Sequence, residues 1–273
     1  MKTEITSGLD VQIKGAFRLS GFLLLILIFF PIQGALGLMG KEKTLSSSRV
    51  FCFILTKILG FRVVVHGDIS PHRPTLFASN HSSYLDIPVL GSLIRGHFVA
   101  KADVASWPVI GLMARMQKTI FVERRASRAK SQQEILRESL EEEKNIILFP
   151  EGTSSDGHRT LPFKSSLFGI VEKKLDNGSE IFIQPVSIVC TQIGGLPMGR
   201  LWRPYYAWYG DMTFAKHLWD AFKIGSFTVE VVFHPVVTIE SFGDRKKLAD
   251  YCQKATAGGV NGSVTGRALE ANA

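Results

Sequence analysis

Two regimes of hydrophobic patterning divide the chain. From Leu19 to Gly40, LSGFLLLILIFFPIQGALGLMG, apolar residues run together without a charged side chain. That stretch is about as long as a membrane-crossing helix needs to be. A second apolar segment, RVFCFILTKILGFRVVV, follows, with Arg49 and Lys57 set among large apolar residues. This is the pattern of an interfacial helix whose basic side chains reach for head groups. Beyond about residue 60, short apolar runs alternate with longer mixed segments. FRVVVHG, TLFAS, HFVAK, TIFVE, NIILF, IFIQPVSIVC and FTVEVVFHPVV read as strands, and 84–94, 107–116, 127–144, 165–175 and 243–255 as helices. In 127–144, Ser127 is placed to cap the start, and Ile135, Leu136 and Leu140 form an apolar stripe on a charged helix.

Strands alternating with helices predict an α/β fold: a mixed, largely parallel sheet flanked by helices, preceded by a membrane-embedded helix or helical hairpin. Pro31 either kinks a spanning helix or turns a hairpin that enters one leaflet. A cleaved signal peptide and a buried core helix are the competing readings of the first segment. Cleavage would leave the second apolar segment without a purpose, so retention is expected. Lys2, Lys14 and Arg18 precede the apolar run, and Lys41, Lys43, Arg49, Lys57 and Arg62 follow it. That bias places the remainder on the cytosolic side. The expected organisation is an anchoring segment over 1–60, a main domain over 61–258, and a small, polar, disordered tail over 259–273.

Charge and cysteine usage narrow the partners. A net charge of +8 on 273 residues asks for something acidic: nucleic acid, an anionic membrane surface or an anionic substrate. The basic residues are spread along the chain and no nucleic-acid module is recognisable, which argues against nucleic acid. Cys52, Cys190 and Cys252 are scattered, with neither a metal-ligand spacing nor a disulfide framework, as suits a reducing compartment.

In α/β folds ligands gather at the carboxyl ends of parallel strands. His81, Lys101, Arg124 and Glu151 each fall at or just past the end of an expected strand. In NHSSYLD, His81 and Asp86 lie five residues apart, which on one continuous helix would turn them about 140° from each other. With His81 in a loop and Asp86 in the first turn of a helix, the carboxylate can fold back onto the imidazole and orient it as a general base. No G-x-S-x-G elbow is present, so the base is free to act on a substrate hydroxyl directly. LFPEGTSSDG turns sharply at Pro150 and Gly152, where the N–H groups near Gly152 and Thr153 suit an anion. Arg124 and Arg125 of IFVERR suit a phosphate or carboxylate. Pro185, inside IQPVSI, implies an edge strand or a bulge. Each block alone also has a plain structural reading: a capping histidine, an ordinary Pro-Glu-Gly turn, a solvated basic face.

Together, NHSSYLD, IFVERR, FPEGT and IQPVSI, in this order and spacing, resemble the four sequence blocks of the glycerolipid acyltransferase family, of the 1-acylglycerol-3-phosphate type, over about residues 60–240. The resemblance implies a membrane-associated enzyme that esterifies a lysolipid hydroxyl from an acyl thioester, without an acyl-enzyme, bound cofactor or metal. The donor would be carried on acyl carrier protein, the expected partner, or on coenzyme A. It implies that His81 is the base and Asp86 its partner, and that Arg124, Glu151, Gly152 and Thr153 bind the acceptor, with Lys101 joining them from the strand-end set. Members acting on lysophosphatidic acid read Glu-Gly-Thr-Arg in the third block, whereas here the fourth position is Ser154. A phosphomonoester carries about −1.5 to −2 charges and wants charge-assisted donors, for which Arg125, Arg159 and Lys164 are the available substitutes.

A second resemblance fits better. FPEGTSSDGHRTLPFKSSLFG, GLPMGRLWRPYYAWYGDM and FHPVVTIESFGDRKKLA are similar to bacterial lyso-ornithine lipid acyltransferases. Those enzymes esterify the 3-hydroxyl of an amide-linked fatty acid on ornithine, a zwitterionic head group without phosphate. This implies a bacterial inner membrane with the catalytic domain on its cytosolic face, and makes Asp156 or Asp211 available to an ornithine ammonium. The cluster Trp202, Tyr205, Tyr206, Trp208 and Tyr209 fits a lipid interface and a core equally well. The alternatives are a lysophosphatidic acid acyltransferase making phosphatidic acid, an acyl thioester hydrolase using the same His–Asp pair, and a non-enzymatic membrane-binding protein.

Overall fold

The computed structural model describes residues 8–38, 41–107, 110–123 and 129–266. Helices α1 (Leu9–Leu38) and α2 (Lys41–Ile58) lead into the sheet, whose strands are β1 (Phe61–His66), β2 (Thr75–Ser79), β3 (His97–Lys101), β4 (Ile120–Val122), β5 (Ile146–Leu148), β6 (Phe182–Ile193), β7 (Leu196–Pro197) and β8 (Phe227–Phe233). The remaining helices are α3 (Asp86–Leu93), α4 (Ile110–Met116), α5 (Ala129–Glu141), α6 (Phe214–Ile224) and α7 (Arg245–Thr265). Strands run in the order β1-β8-β6-β2-β5-β3-β4, with β7 hooked onto β6. β2 is parallel to β5 and β6, β3 to β5 and β4, and β1 to β8. Only the joins of β6 to β8 and β7 are antiparallel among the described residues. This is the mixed, largely parallel sheet the alternation predicts.

All five residues of β2 are buried, as a strand covered on both faces requires. Because side chains alternate, Phe77 points into one core with Leu90, Ile147, Phe222 and Phe227. Leu76 and Ala78 point into the other with Leu140, Ile146, Phe168 and Leu248. Pro185 lies in a central strand rather than at an edge. Its carbonyl accepts the His234 N–H where β8 has ended, and β8 pairing begins only at Val186, so its missing donor breaks no ladder there.

α1 and α2 form an antiparallel hairpin. The Phe29 and Phe51 rings lie 4.3 Å apart, and the Gln33 amide donates to Ser48 Oγ at 2.9 Å and to the Met116 carbonyl at 2.8 Å. Arg18 docks the other end on α6, donating to the Phe222 and Gly225 carbonyls at 2.9 Å each. Pro31 is inside α1 and is not the turn. One side of α1 is therefore fixed to the domain along its length, while Phe17, Leu24, Leu27 and Ile28 stay exposed.

Three expectations need correction. Segment 165–175 is a short 3-10 helix over Ser165–Val171. α6 was not anticipated, although Phe214, Leu218, Ala221 and Phe222 recur at helical spacing. The third concerns the tail: α7 continues to Thr265, and Gly259, Val260 and Ser263 are buried. Small side chains, read as a sign of disorder, instead let α7 approach the sheet. A Cβ at Gly259 would lie 2.3 Å from Ser187 Oγ. Ser187 donates to the Thr256 carbonyl at 2.8 Å, which leaves its oxygen to accept from His234 Nε2, also at 2.8 Å. Ser127 and residues 267–273 of the expected tail lie outside the described residues.

Gly259→Ala is expected to destabilise the fold by about 1–3 kcal/mol through overpacking. Gly258→Ala, whose added Cβ meets nothing within 4 Å, should instead stabilise α7 by about 0.5–1 kcal/mol. Thermal unfolding of the detergent-solubilised protein reads both.

Candidate active site

β2, β3, β4 and β5 are mutually parallel, so the residues that follow them share one edge of the sheet. After β2 the chain turns: the Asp86 N–H donates to the Ser83 carbonyl at 3.0 Å, and α3 opens at Asp86. The Asp86 side chain then folds back over that turn. Its Oδ2 accepts from the Ser82 and Ser83 N–H groups at 2.8 and 2.9 Å and lies 2.9 Å from His81 Nδ1. Its Oδ1 accepts the Tyr206 hydroxyl at 2.8 Å. A carboxylate held by these donors is an acceptor only, so Nδ1 carries the imidazole proton and Nε2 keeps a lone pair. The first turn of α3 adds the positive end of its dipole. The His81 ring stacks on Phe149, just past β5, with centroids 4.0 Å apart.

The imidazole lines a cavity of about 390 Å³ whose other walls are mostly apolar: Leu55 of α2 and Leu59 just past it, Leu85 and Pro88 around α3, Met113 of α4 and Phe222 of α6. A family model described as "Acyltransferase" matches residues 62–189. The lyso-ornithine lipid O-acyltransferase of Rhizobium meliloti is 41% identical over 204 residues, covering 74% of this chain and 68% of that protein. The chain belongs to the acyltransferase family. The lyso-ornithine lipid O-acyltransferase of Brucella abortus is 36% identical over 219 residues, covering 79% of this chain and 82% of that one. In fold, the acyltransferase is similar to the crystal structure of the 1-acyl-sn-glycerophosphate acyltransferase of Thermotoga maritima, with a TM-score of 0.63 at 22% identity over 89% of this chain and 96% of that one. The chain is thus a lysolipid or glycerolipid acyltransferase. Its single long apolar helix at the N-terminus, found among the described residues, is consistent with membrane association.

Of the acyltransferase residues singled out in the sequence, Lys101, Gly152 and Thr153 line the same cavity as His81, as does Ser154. The Lys101 ammonium is paired with Asp103. Gly152 adopts φ +73°, which favours glycine, and its N–H donates to the Phe149 carbonyl at 3.0 Å to close the turn. Glu151 is placed differently. It is 3% exposed and turns beneath the loop, where Oε1 accepts the Leu161 N–H at 3.1 Å and Oε2 has no partner among the described residues. Burial pushes its carboxyl up to about 8; the Leu161 and His81 N–H groups oppose this and the Asp86 charge adds to it. Arg124 and Arg125 lie outside the described residues.

Three contributors escaped sequence reasoning. Ser155 ties the glutamate loop to the base, its N–H and Oγ both reaching the His81 carbonyl, at 2.9 and 3.2 Å. Phe149 supplies the stacking face. Tyr206 belongs to core rather than lipid interface, and only a three-dimensional neighbour, Asp86, gives its hydroxyl a purpose.

The Glu151 carboxyl titrates higher in the folded protein than in the unfolded chain, so its neutral form favours folding. That contribution is complete below the usual carboxylate value of about 4.5 and is lost as pH rises toward about 8. Glu151→Gln keeps the neutral shape. The variant is expected to gain stability relative to the wild type across this window, on the order of a few kcal/mol, measured as the difference in unfolding temperature against pH.

Proposed function

We propose that the protein is a membrane-associated O-acyltransferase that moves an acyl group from a thioester to the hydroxyl of lyso-ornithine lipid, with His81 as general base. The observation that carries this reading is one ring with two environments. His81 Nδ1 is committed to Asp86 at 2.9 Å, while the imidazole lines an apolar cavity suited to a fatty acyl chain. Burial of the chain there is worth about 0.8 kcal/mol per methylene.

Nε2 takes the proton of the acceptor hydroxyl as its oxygen attacks the thioester carbonyl carbon. Asp86 stabilises the imidazolium that forms. The carbonyl oxygen becomes an oxyanion and needs preorganised donors. The N–H groups of Thr153 and Ser154 make no hydrogen bond among the described residues and are the donors available on the cavity wall. Collapse of the intermediate breaks the carbon–sulfur bond, and the leaving thiolate takes the proton back from His81. The products are the ester and a free thiol, on acyl carrier protein or coenzyme A.

Two relatives named as lyso-ornithine lipid acyltransferases support the acceptor, as does Ser154 standing where members acting on a phosphate acceptor carry arginine. The exposed apolar face of α1, opposite the side docked on the domain, supports insertion into one leaflet, which is the bacterial inner membrane's cytosolic leaflet on this reading.

His81→Ala is expected to lower acyl transfer by about 10²–10⁴-fold while the protein still sediments with membranes. Wild-type turnover in that variant would overturn the mechanism. Free fatty acid as the main product of the wild type, in place of an esterified lysolipid, would show a thioester hydrolase instead.

A further inference from the structure

Tyr206 is 2% exposed and meets the His81–Asp86 pair from a segment far from it in sequence. Arg203–Tyr205 form one turn of 3-10 helix, and the Tyr206 N–H donates to the Arg203 carbonyl at 3.0 Å as that turn ends. The Arg203 guanidinium ties the turn to the domain by donating to the Gly157 carbonyl. Two residues past Tyr206, the Trp208 N–H donates to the Ser82 carbonyl at 2.9 Å. The segment thus grips the loop between His81 and Asp86 by its main chain. The Tyr206 ring, packed against Phe61 and Phe227, brings its hydroxyl to Asp86 Oδ1 at 2.8 Å. The two carboxylate oxygens are served unequally. Oδ2 accepts from Ser82 N–H, Ser83 N–H and His81 Nδ1, whereas beside Tyr206 the described residues offer Oδ1 only the Ser82 hydroxyl, at 3.4 Å. Neither Tyr206 nor Asp86 lines the cavity of His81, so the phenol does not touch a substrate held there.

We propose that Tyr206 is a positioning residue for the reaction: its hydroxyl pins the second oxygen of Asp86, and through Asp86 sets the aim of the His81 ring and the strength of Nε2 as a base. This rests on the reading of His81 as general base and deepens it. The terminal torsion of an aspartate is soft, so a carboxylate held through one oxygen is free to rock. With Oδ1 tied as well, the Oδ2–Nδ1 bond keeps one direction and Nε2 points one way. The electrostatic effect has a definite sign. Each hydrogen bond donated to a carboxylate stabilises its charge, and a better-stabilised carboxylate pulls less on the imidazolium beside it. Burial, with the Asp86 and Cys190 charges adding to it, pushes the Tyr206 phenol well above its ordinary range, so it stays a donor at any working pH. The other titratable groups that act on Asp86 are Glu151 after β5, pushed up to about 8 by burial, and Cys190 on β6, also pushed up by burial. Lys101 lines the cavity of His81 and is paired with Asp103.

The test compares the full chain in detergent with Tyr206→Phe, which keeps the ring and removes the hydroxyl, using whichever lysolipid acceptor the wild type turns over. The variant should lose about tenfold to a hundredfold in kcat with both KM values little changed, and the acidic limb of its kcat/KM profile should move to higher pH. A second readout needs no turnover. The Nδ1–H proton resonance of His81, assigned by its loss in His81→Ala and followed below the Glu151 titration near 8, should move downfield in Tyr206→Phe. If Tyr206→Phe does not fold, 3-fluorotyrosine incorporated at position 206 decides the matter. It is a stronger donor of nearly the same shape and should move the limb and the resonance the opposite way. A limb and a resonance that stay at their wild-type positions would overturn the proposal even with kcat lowered, because a loss through packing alone moves neither. In that case an inactive His81→Ala leaves the acyltransferase reading standing. Wild-type turnover in His81→Ala would remove the general base, and the role of Tyr206 with it.

Discussion

A carboxylate removed from water must be surrounded by donors, and at Asp86 that requirement organises the centre of the molecule. Its side chain has no solvent exposure, so an unpaired charge there would be prohibitive. The donors come from three directions: the turn after β2 through Ser82 and Ser83, the imidazole of His81, and the hydroxyl of Tyr206 from the segment before α6. Each donor holds its own piece of backbone. The same bonds that make Asp86 tolerable in the core therefore fix the tautomer of His81 and the packing of Tyr206 between Phe61 and Phe227.

The helical hairpin has two faces with different tasks. Phe22 of α1 and Leu55 of α2 help wall the cavity that His81 lines, whereas the outer residues of α1 are exposed and apolar. In the proposed reaction this places a lipid-facing surface and an acyl-chain site on the same two helices. A long-chain substrate then passes between membrane and cavity without exposing much of its chain to water. The basic composition of the chain suits the same setting, where anionic carriers and head groups approach from solution and membrane surface.

Glu151 and Lys101 show how strand-end position separates from role. Lys101 ends β3 and Glu151 follows β5, both parallel strands, yet Lys101 lines the cavity while Glu151 is buried in its own loop, accepting the Leu161 N–H. A strand end specifies where the backbone arrives; the turn that follows decides where the side chain goes. Gly152 at φ +73° closes that turn over Glu151, and the resulting burial moves its carboxyl toward neutrality. The α7 segment carries the same lesson. A run of glycine, alanine and serine is compatible with both a loose tail and a tightly docked helix, and only the nearby Ser187–His234 pair distinguishes them.

What the sequence determined by itself is local. Apolar runs of strand length located all the strands but the two-residue β7 to within a few residues, most plainly β2, β5 and β6, where burial on both faces leaves few polar positions. The fold-back of Asp86 onto His81 was also legible, since it depends on a turn of five residues. Contacts between distant segments were not. Tyr206 reaches Asp86 across 120 residues, and Arg203 reaches the Gly157 carbonyl across 46. Nothing in the periodicity of either segment encodes those meetings. They follow from the strand order and from the way α6 and α7 pack on the sheet, and side-chain chemistry acquires its partners only once that packing has brought them within bonding distance.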